Sequence, residues 1–233
     1  LKNFSVNNDN SKQTIDSLYT LSPFLIFLPE IERLFLSSPS NRRNFIDRFI
    51  YNYNFNYNKL INKYNKNISE RSKLLNNNEN DEIWLNQIEK NISMYGLEIY
   101  EFRKSQINII VKNVNFFLDK FKLSFSINVE INDKYYSKKI SEESYSEELK
   151  KNRKIDEMLG GSKIGPHKSD YIFYINNEYL ASQLSTGQQK TLILLIYLSQ
   201  CKHLVEDLDI KPILLLDEIC SHLDEINRKI LLT

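Results

Sequence analysis

The sequence is short of the two residues that most often interrupt helices. Its five prolines stand at 23, 29, 39, 166 and 212, so residues 40 to 165 contain none, and glycine occurs there only at 96, 160, 161 and 165. Proline removes a backbone donor and clashes with the preceding turn, so its absence permits long helices in that stretch. Cysteine is almost missing as well. Cys201 and Cys220 have no metal-ligand spacing and no further partners, which excludes a disulfide scaffold or a zinc module and reads as two reduced thiols in an intracellular protein. The longest apolar run, Leu192 to Leu198, falls far short of the roughly 20 residues that cross a bilayer, and the N-terminus does not resemble a signal peptide. A soluble, cytoplasmic protein with no membrane partner is expected. Neither sign of charge dominates: 31 Lys and Arg face 30 Asp and Glu. That excludes a wholesale basic coat, so any DNA contact has to be local. Alanine occurs once, at Ala181, while asparagine, isoleucine, lysine and tyrosine abound, a bias attributed to AT-rich coding rather than to a prion-like segment. The chain begins at Leu1 rather than Met and stops at Thr233 inside an apolar helical pattern; both ends read as cut, and a fragment is expected.

What is present follows two periods. Leu60, Tyr64, Ile68 and Leu75 keep a helical spacing, a polar turn covers 76 to 81, and Trp84, Ile88, Ile92, Tyr95, Ile99 and Phe102 resume it, which predicts two antiparallel helices with their apolar stripes packed together. Leu123, Phe125, Ile127, Val129 and Ile131 alternate with polar residues, the signature of a half-buried strand. Ser141 to Leu159 reads as an amphipathic helix closed by Gly160 and Gly161, and Tyr171 to Ile175 as a strand turning at Asn176 and Asn177. Leu25 to Pro29 looks like one more strand, which makes the helical region an insertion into an α/β core.

Two motifs carry chemistry. Ile213 to Leu216 is a continuous apolar run ending in Asp217 and Glu218, the pattern of a buried parallel strand that delivers carboxylates at its C-terminal end, where such sheets bind ligands. In a Walker B arrangement Asp217 holds Mg²⁺ and Glu218 polarises the attacking water; a helix-capping pair after a core strand is the alternative. Leu184, Ser185, Thr186, Gly187, Gln188 and Gln189 precede an apolar helix from about Thr191 to Cys201. A hydroxyl and free backbone N–H groups at such a terminus can bind phosphate, and Gly187 lets a ligand approach the backbone; an ordinary N-cap with glutamine at the capping-box distance is the alternative. Ser221, His222, Leu223 and Asp224 follow at once.

That order resembles the signature, Walker B and D-loop of ABC-type ATPases. Gly165, Pro166, His167, Lys168, Ser169 and Asp170 resemble the Gly-Pro-His motif of the RecF family, and Pro29-Glu30 with Pro39, Arg42, Arg43, Phe45, Ile46 and Asp47 are similar to its segment leading into a short helical arm. The resemblance spans residues 23 to 233. It implies an α/β fold, a partial ABC-type ATPase core with an inserted helical-hairpin arm: 1–38 as part of ATPase lobe I, 39–160 as the arm, and 161–233 as the core segment with signature, Walker B and D-loop.

It further implies ATP and Mg²⁺ as cofactors, an ATP-dependent homodimer, DNA at single-strand/double-strand junctions, and work with RecO and RecR to load RecA at gaps. Ser185, Gly187 and Gln188 would act in trans on nucleotide held by another subunit, Asp217 on the metal, Glu218 as catalytic base, and Ser221 and Asp224 in the D-loop. Arg42 and Arg43 are candidates for DNA contact, with an Arg43–Asp47 ion pair as the alternative. His167 reads as a structural hydrogen-bonding residue, and His203 as a surface residue. Three departures from the family stand out. No G-x-x-x-x-G-K-[ST] exists: Gly160 and Gly165 have its spacing, but Pro166 and His167 occupy the Lys and Ser/Thr places. The family's switch histidine has no counterpart, since His222 falls within the D-loop. Glu218 stands where a second aspartate is frequent. A transporter ATPase would share the signature and Walker B but not the arm or the Gly-Pro-His strand, an SMC-like protein would need a far longer coiled coil, and a non-catalytic remnant is a third alternative. Without a Gly-rich cradle and its lysine, the isolated 233-residue chain is expected to bind no ATP with useful affinity; equilibrium dialysis with labelled ATP checks this, and tight one-to-one binding would contradict it.

Overall fold

The computed structural model describes residues 9, 11, 23–76, 81–133, 135–136 and 141–217. Glu218, Cys220, Ser221, His222 and Asp224 lie outside the described residues. The chain forms two compact units, one made of residues 1–54, 106–130 and 172–233, the other of 55–105 and 131–171. This division does not follow the expected 39–160 arm: 39–54 and 106–130 group with the first unit, and 161–171 with the second.

In the first unit, β1 (Phe24–Phe27) pairs in parallel with β5 (Ile213–Leu216), Phe24 facing Ile213 and Phe27 facing Leu216. A 3-10 helix (Pro29–Leu36) leads to α1 (Pro39–Tyr51), which Ser38 caps by accepting from the Asn41 N–H, with Pro39 at the first helical position, where no donor is missed. The apolar α6 (Thr186–Lys202) crosses behind the sheet, and Leu192 to Ile196 are wholly buried. Tyr197 sits edge-on to Phe45 and Phe49, packs against Phe27, and donates its hydroxyl hydrogen to the Ile26 carbonyl at 2.8 Å. A residue this large is tolerated in a core because its polar tip is satisfied. Gln200, also buried, donates to the Phe49 carbonyl.

One expectation about this unit is corrected. β5 was expected to be buried, yet Ile213 and Leu215 are each more than two-fifths exposed, as are Phe24 and Ile26 beside them in register. Side chains alternate across a strand, so Leu25 and Phe27 enter the core under α6 while the opposite face has no covering layer among the described residues. His203 is corrected too. It is buried rather than at the surface, because a π turn (His203–Asp207) sets its Nδ1 2.7 Å from the Asp207 carboxylate and its ring edge-on to Tyr53.

The second unit is built on the helical hairpin, α2 (Phe55–Asn76) and the first part of α3 (Glu82–Lys120). The expected second helix is longer than its apolar stripe. With no proline and one glycine, α3 runs on until Lys122 takes a left-handed φ of 56°. Leu60, Tyr64, Leu75, Ile88, Ile92 and Ile99 are buried as their spacing predicts. Trp84 is not: it is half exposed, and Leu85 takes the inward place. The expected helix from 141 to 159 is two, α4 (Glu142–Lys151) and α5 (Arg153–Met158), broken at Asn152. A capping box of Ser141 and Ser144 opens α4.

β2 (Ile127–Asn132), β3 (Asp170–Ile175) and β4 (Tyr179–Leu180) form a sheet in that order. β2 starts later than the alternation from Leu123 suggests, because the Asn115 side chain binds both the N–H and the carbonyl of Ile127 and holds the entry out of the ladder. Asn176 and Asn177 both have positive φ, 52° and 58°, the geometry of a tight β3–β4 hairpin turn.

The inward place on α2 between Tyr64 and Leu75 is filled by Arg71, only 1% exposed. Its guanidinium donates to Glu89 Oε1 at 2.9 Å, Asp156 Oδ2 at 2.7 Å and the Leu149 carbonyl at 2.6 Å. Arg153 completes the cluster with two bonds to Glu89, at 2.6 and 3.0 Å, and one to Asn86. Removing one partner of a buried ion pair strands the other charge. Arg71→Met should therefore cost on the order of 3–5 kcal/mol, leaving Asp156 buried alone; urea denaturation reads it as a lower midpoint at unchanged slope, and a loss below about 1 kcal/mol would contradict the account.

Candidate functional site

α6 begins where the sequence places the phosphate-binding turn. Ser185 is its N-cap, accepting from the Gln188 N–H at 3.3 Å, while Gln188 Oε1 accepts from the Ser185 N–H at 3.0 Å. The capping box is therefore real, and it fixes the turn without closing it. Ser185, Thr186, Gly187 and Gln188 are all exposed, whereas Gln189 and Lys190 are buried immediately behind them. The Ser185 hydroxyl uses a lone pair on the cap and keeps its proton free to donate. A 17-residue helix with an exposed first turn directs its positive dipole end outward, where an anion is stabilised. Around Gly187 an added Cβ would meet nothing within 4 Å, so the chain's own packing does not demand glycine there.

Asp217 follows β5 directly. Its N–H donates to the Phe27 carbonyl at 3.1 Å, which holds the residue level with the end of β1, and its side chain is exposed. No hydrogen bond joins Asp217 to the Ser185–Gln188 turn among the described residues. Asp217 is tied to the last residue of β1, and α6 to the 3-10 helix that follows it. Lys190 is 4% exposed, and its ammonium lies 2.6 Å from Glu32 Oε1 on the 3-10 helix. This pair was not anticipated from the sequence, although a lysine opening an apolar helix is the kind of residue that needs a buried partner. Arg42 is used internally: its guanidinium donates to the Ser37 carbonyl and, at 3.4 Å, to that of Phe35, closing the turn before α1. Arg43 is half-buried.

The Gly-Pro-His segment serves the second unit. His167 Nε2 faces the Ser162 carbonyl at 3.0 Å, and Nδ1 faces the Tyr64 hydroxyl at 2.7 Å. A carbonyl can only accept, so Nε2 carries the proton and Nδ1 accepts from the phenol. Burial raises the Tyr64 and Tyr145 hydroxyls far above the ordinary phenol range, the opposite of an activated nucleophile or base. His167 is thus a structural hydrogen-bonding residue. Arg103 donates to the Pro166 carbonyl at 2.6 Å. Gly165 has φ +121°, and a Cβ there would lie 2.1 Å from the Tyr145 hydroxyl and 2.4 Å from that of Tyr64. Burial also pushes the Cys201 thiol up to about 11, so it is not a reactive cysteine. Among the described residues no cluster of His, Cys, Asp or Glu could hold a metal ion, and no helix is long and apolar enough to cross a membrane.

Comparison with known proteins shows what the chain resembles. The chain is 33% identical over 227 residues to the DNA replication and repair protein RecF of Rickettsia typhi (strain ATCC VR-144 / Wilmington), covering 95% of this chain and 62% of the relative. The RecF of Rickettsia prowazekii (strain Madrid E) is 32% identical over 225 residues, with the same coverage. This chain is RecF-like over nearly its whole length. Two solved structures agree: the recombination mediator protein RecF with ATP, TM-score 0.78 at 28% identity over 91% of this chain and 59% of that one, and RecF-ATPrS of the RecFOR pathway, TM-score 0.79 at 28% identity over 97% and 64%. The α/β fold with its helical hairpin is accordingly that of RecF structures, which are ABC ATPase-like. No protein-family model matches the chain. The RecF-like chain spans just over three-fifths of the length of these relatives.

The two motif glycines, Gly165 and Gly187, predict opposite outcomes. Gly165→Ala should destabilise by on the order of 2–4 kcal/mol, from the clash with two buried phenols and the positive φ. Gly187→Ala should leave stability unchanged or raise it by up to about 1 kcal/mol, since it adds helix propensity in open space. Thermal or urea unfolding of the two variants checks both; a destabilised Gly187→Ala would mean that this glycine is needed for folding.

Proposed function

We propose that this RecF-like chain carries the signature and Walker B half of a nucleotide site in an ATP-dependent protein of DNA replication and recombinational repair. The observation that carries this reading is the first turn of α6, in which Ser185, Thr186, Gly187 and Gln188 are exposed at the end of a buried helix, in a chain that resembles RecF determined with ATP. Ser185 and Gly187, with Gln188 bracing the turn, cover the γ-phosphate of ATP held by the P-loop of another subunit, so that nucleotide closes a homodimer. Asp217 binds Mg²⁺, Glu218 acts as the base toward water, and Ser221 and Asp224 form the D-loop across the dimer. On this reading residues 1–38 and 161–233 belong to the ATPase core and 39–160 to the arm. The protein works in the cytoplasm, holds DNA at single-strand/double-strand junctions while dimeric, and assists RecO and RecR in loading RecA at gaps.

The competing reading is a plain N-cap, which the reciprocal Ser185–Gln188 bonds would satisfy by themselves. Ser185→Arg separates the two. Placing a bulky cation over the turn should abolish ATP-dependent dimerisation of the full-length protein while leaving ATP binding by the monomer nearly intact, as read by sedimentation with and without ATP. A variant that dimerises like the parent would leave only the cap.

A further inference from the structure

The second unit carries a charge asymmetry that the nucleotide reading does not use. From Arg48 to Ser69 the sequence contains no acidic residue, but it contains Lys59, Lys63 and Lys66 and seven asparagines. These lysines, with Lys73, lie on α2 at spacings of four, three and seven, and all four are exposed. At 100° per residue they occupy about a quarter of the helix circumference, and at 1.5 Å per residue they extend along about 21 Å of it. Glu70 is the only acid on α2.

The ammonium groups of Lys59 and Lys63 are held outward without a carboxylate partner among the described residues, and that of Lys66 has one exposed acid beside it. Lys59 donates to Asn56 Oδ1 at 3.2 Å and lies over the Phe55 ring, and Lys63 lies over the Tyr95 ring at 5.8 Å. Lys66, three-quarters exposed, stands 3.7 Å from Glu70. Among the described residues neither Lys59 nor Lys63 has a carboxylate within ion-pair distance. The adjoining rim of α3 is amide-rich: Asn91 donates to Asn67 and accepts from Gln87. Glu98, exposed one turn along α3 from Tyr95, is an acid on that helix. The exposed lysines of α4 and α5, Lys150, Lys151 and Lys154, form a shorter cluster flanked by Glu147 and Glu148 on one side and by Asp156 and Glu157 on the other.

A linear array of exposed cations, of which only Lys66 has a nearby carboxylate, flanked by neutral amides fits a linear polyanion, with lysines meeting phosphate oxygens and amides able to donate to phosphate or sugar. We propose that this face of α2, centred on Lys59, Lys63 and Lys66, binds the phosphate backbone of DNA. The choice of DNA over an acidic protein surface rests on the repair reading above; the stripe itself does not depend on the nucleotide site. Its 21 Å or so spans about six steps of one duplex strand at 3.4 Å each. The contact is sequence-independent and adds affinity and salt dependence rather than base specificity.

The test uses the full-length protein with ATP and a labelled random-sequence DNA carrying a single-strand/double-strand junction, with affinity followed by anisotropy between about 50 and 200 mM salt. Replacing Lys59, Lys63 and Lys66 together by Gln should weaken binding by about tenfold or more at the lower salt, and flatten the slope of log K against log salt by about 2 to 3 units. The triple Arg variant should restore both, and the Gln triple at Lys150, Lys151 and Lys154 should change neither. Circular dichroism establishes that each variant keeps its helices. A Lys59/Lys63/Lys66 Gln variant with the parent's affinity and slope would overturn the proposal. So would a parent that dimerises with ATP yet binds no DNA, an outcome that assigns the stripe to an acidic protein and leaves the nucleotide reading standing. Failure of the Ser185→Arg experiment would remove the nucleotide reading alone, because the salt slope decides the stripe independently.

Discussion

The second unit depends on one buried guanidinium. Arg71 reaches from α2 to α3 through Glu89, to α5 through Asp156 and to the end of α4 through the Leu149 carbonyl. A charge so far from water is tolerated when it is hydrogen-bonded and the net charge nearly cancels. All three nitrogens of Arg71 donate, and Arg153 takes the remaining oxygen of Glu89, so that two arginines are balanced by two carboxylates. Two arginines and two carboxylates thus fix four helices at one point. Apolar packing alone would allow these helices to slide by a turn, whereas hydrogen bonds to named oxygens set a single register. The same registration brings Tyr145 of α4 against Tyr64 of α2, and those two phenols form the wall that leaves room for glycine alone at Gly165.

In the first unit the corresponding constraint is α6. Its middle is apolar on every face and fully buried, so the helix is placed by its surroundings: Tyr197 is bonded to β1, Gln200 to the end of α1, and Lys190 to Glu32. A helix immobilised along its length presents a fixed first turn. That is what an anion site needs, since donors already aligned require no reorganisation when the ligand arrives. The pair of buried Lys190 with half-buried Glu32 lies one turn behind this exposed end and ties it to the 3-10 helix that follows β1, while Asp217 is anchored to the last residue of β1 itself.

The exposed face formed by Phe24, Ile26, Ile213 and Leu215 shows how far a sequence pattern reaches. Four consecutive apolar residues predict a strand, and β5 is one. They do not say whether both faces are covered, because the covering layers come from elsewhere in the chain. The helix-spaced stripe from Trp84 to Phe102 has the same limit: the period identified α3, but the rotation that buries Leu85 and exposes Trp84 depends on what α3 packs against. His203 looked like a surface residue only because a π turn cannot be read from periodicity.

Local chemistry was legible wherever it is self-contained. The Ser185 cap, the left-handed Asn176-Asn177 turn, the proline-free hairpin and the apolar strand before Asp217 all follow from backbone geometry and side-chain period, and their order along the chain carried the RecF resemblance. The sequence could not reveal contacts between residues distant in the chain. Arg71 and Asp156 are 85 residues apart, and Tyr64 and His167 are 103 apart; each looks like an ordinary polar residue until folding removes it from water. The sequence by itself therefore determined the elements and the candidate turn. Which charges are buried and paired, and which, like the lysines of α2, stay exposed, was set by the tertiary structure, because desolvation and pairing belong to the assembled environment of a side chain rather than to its identity.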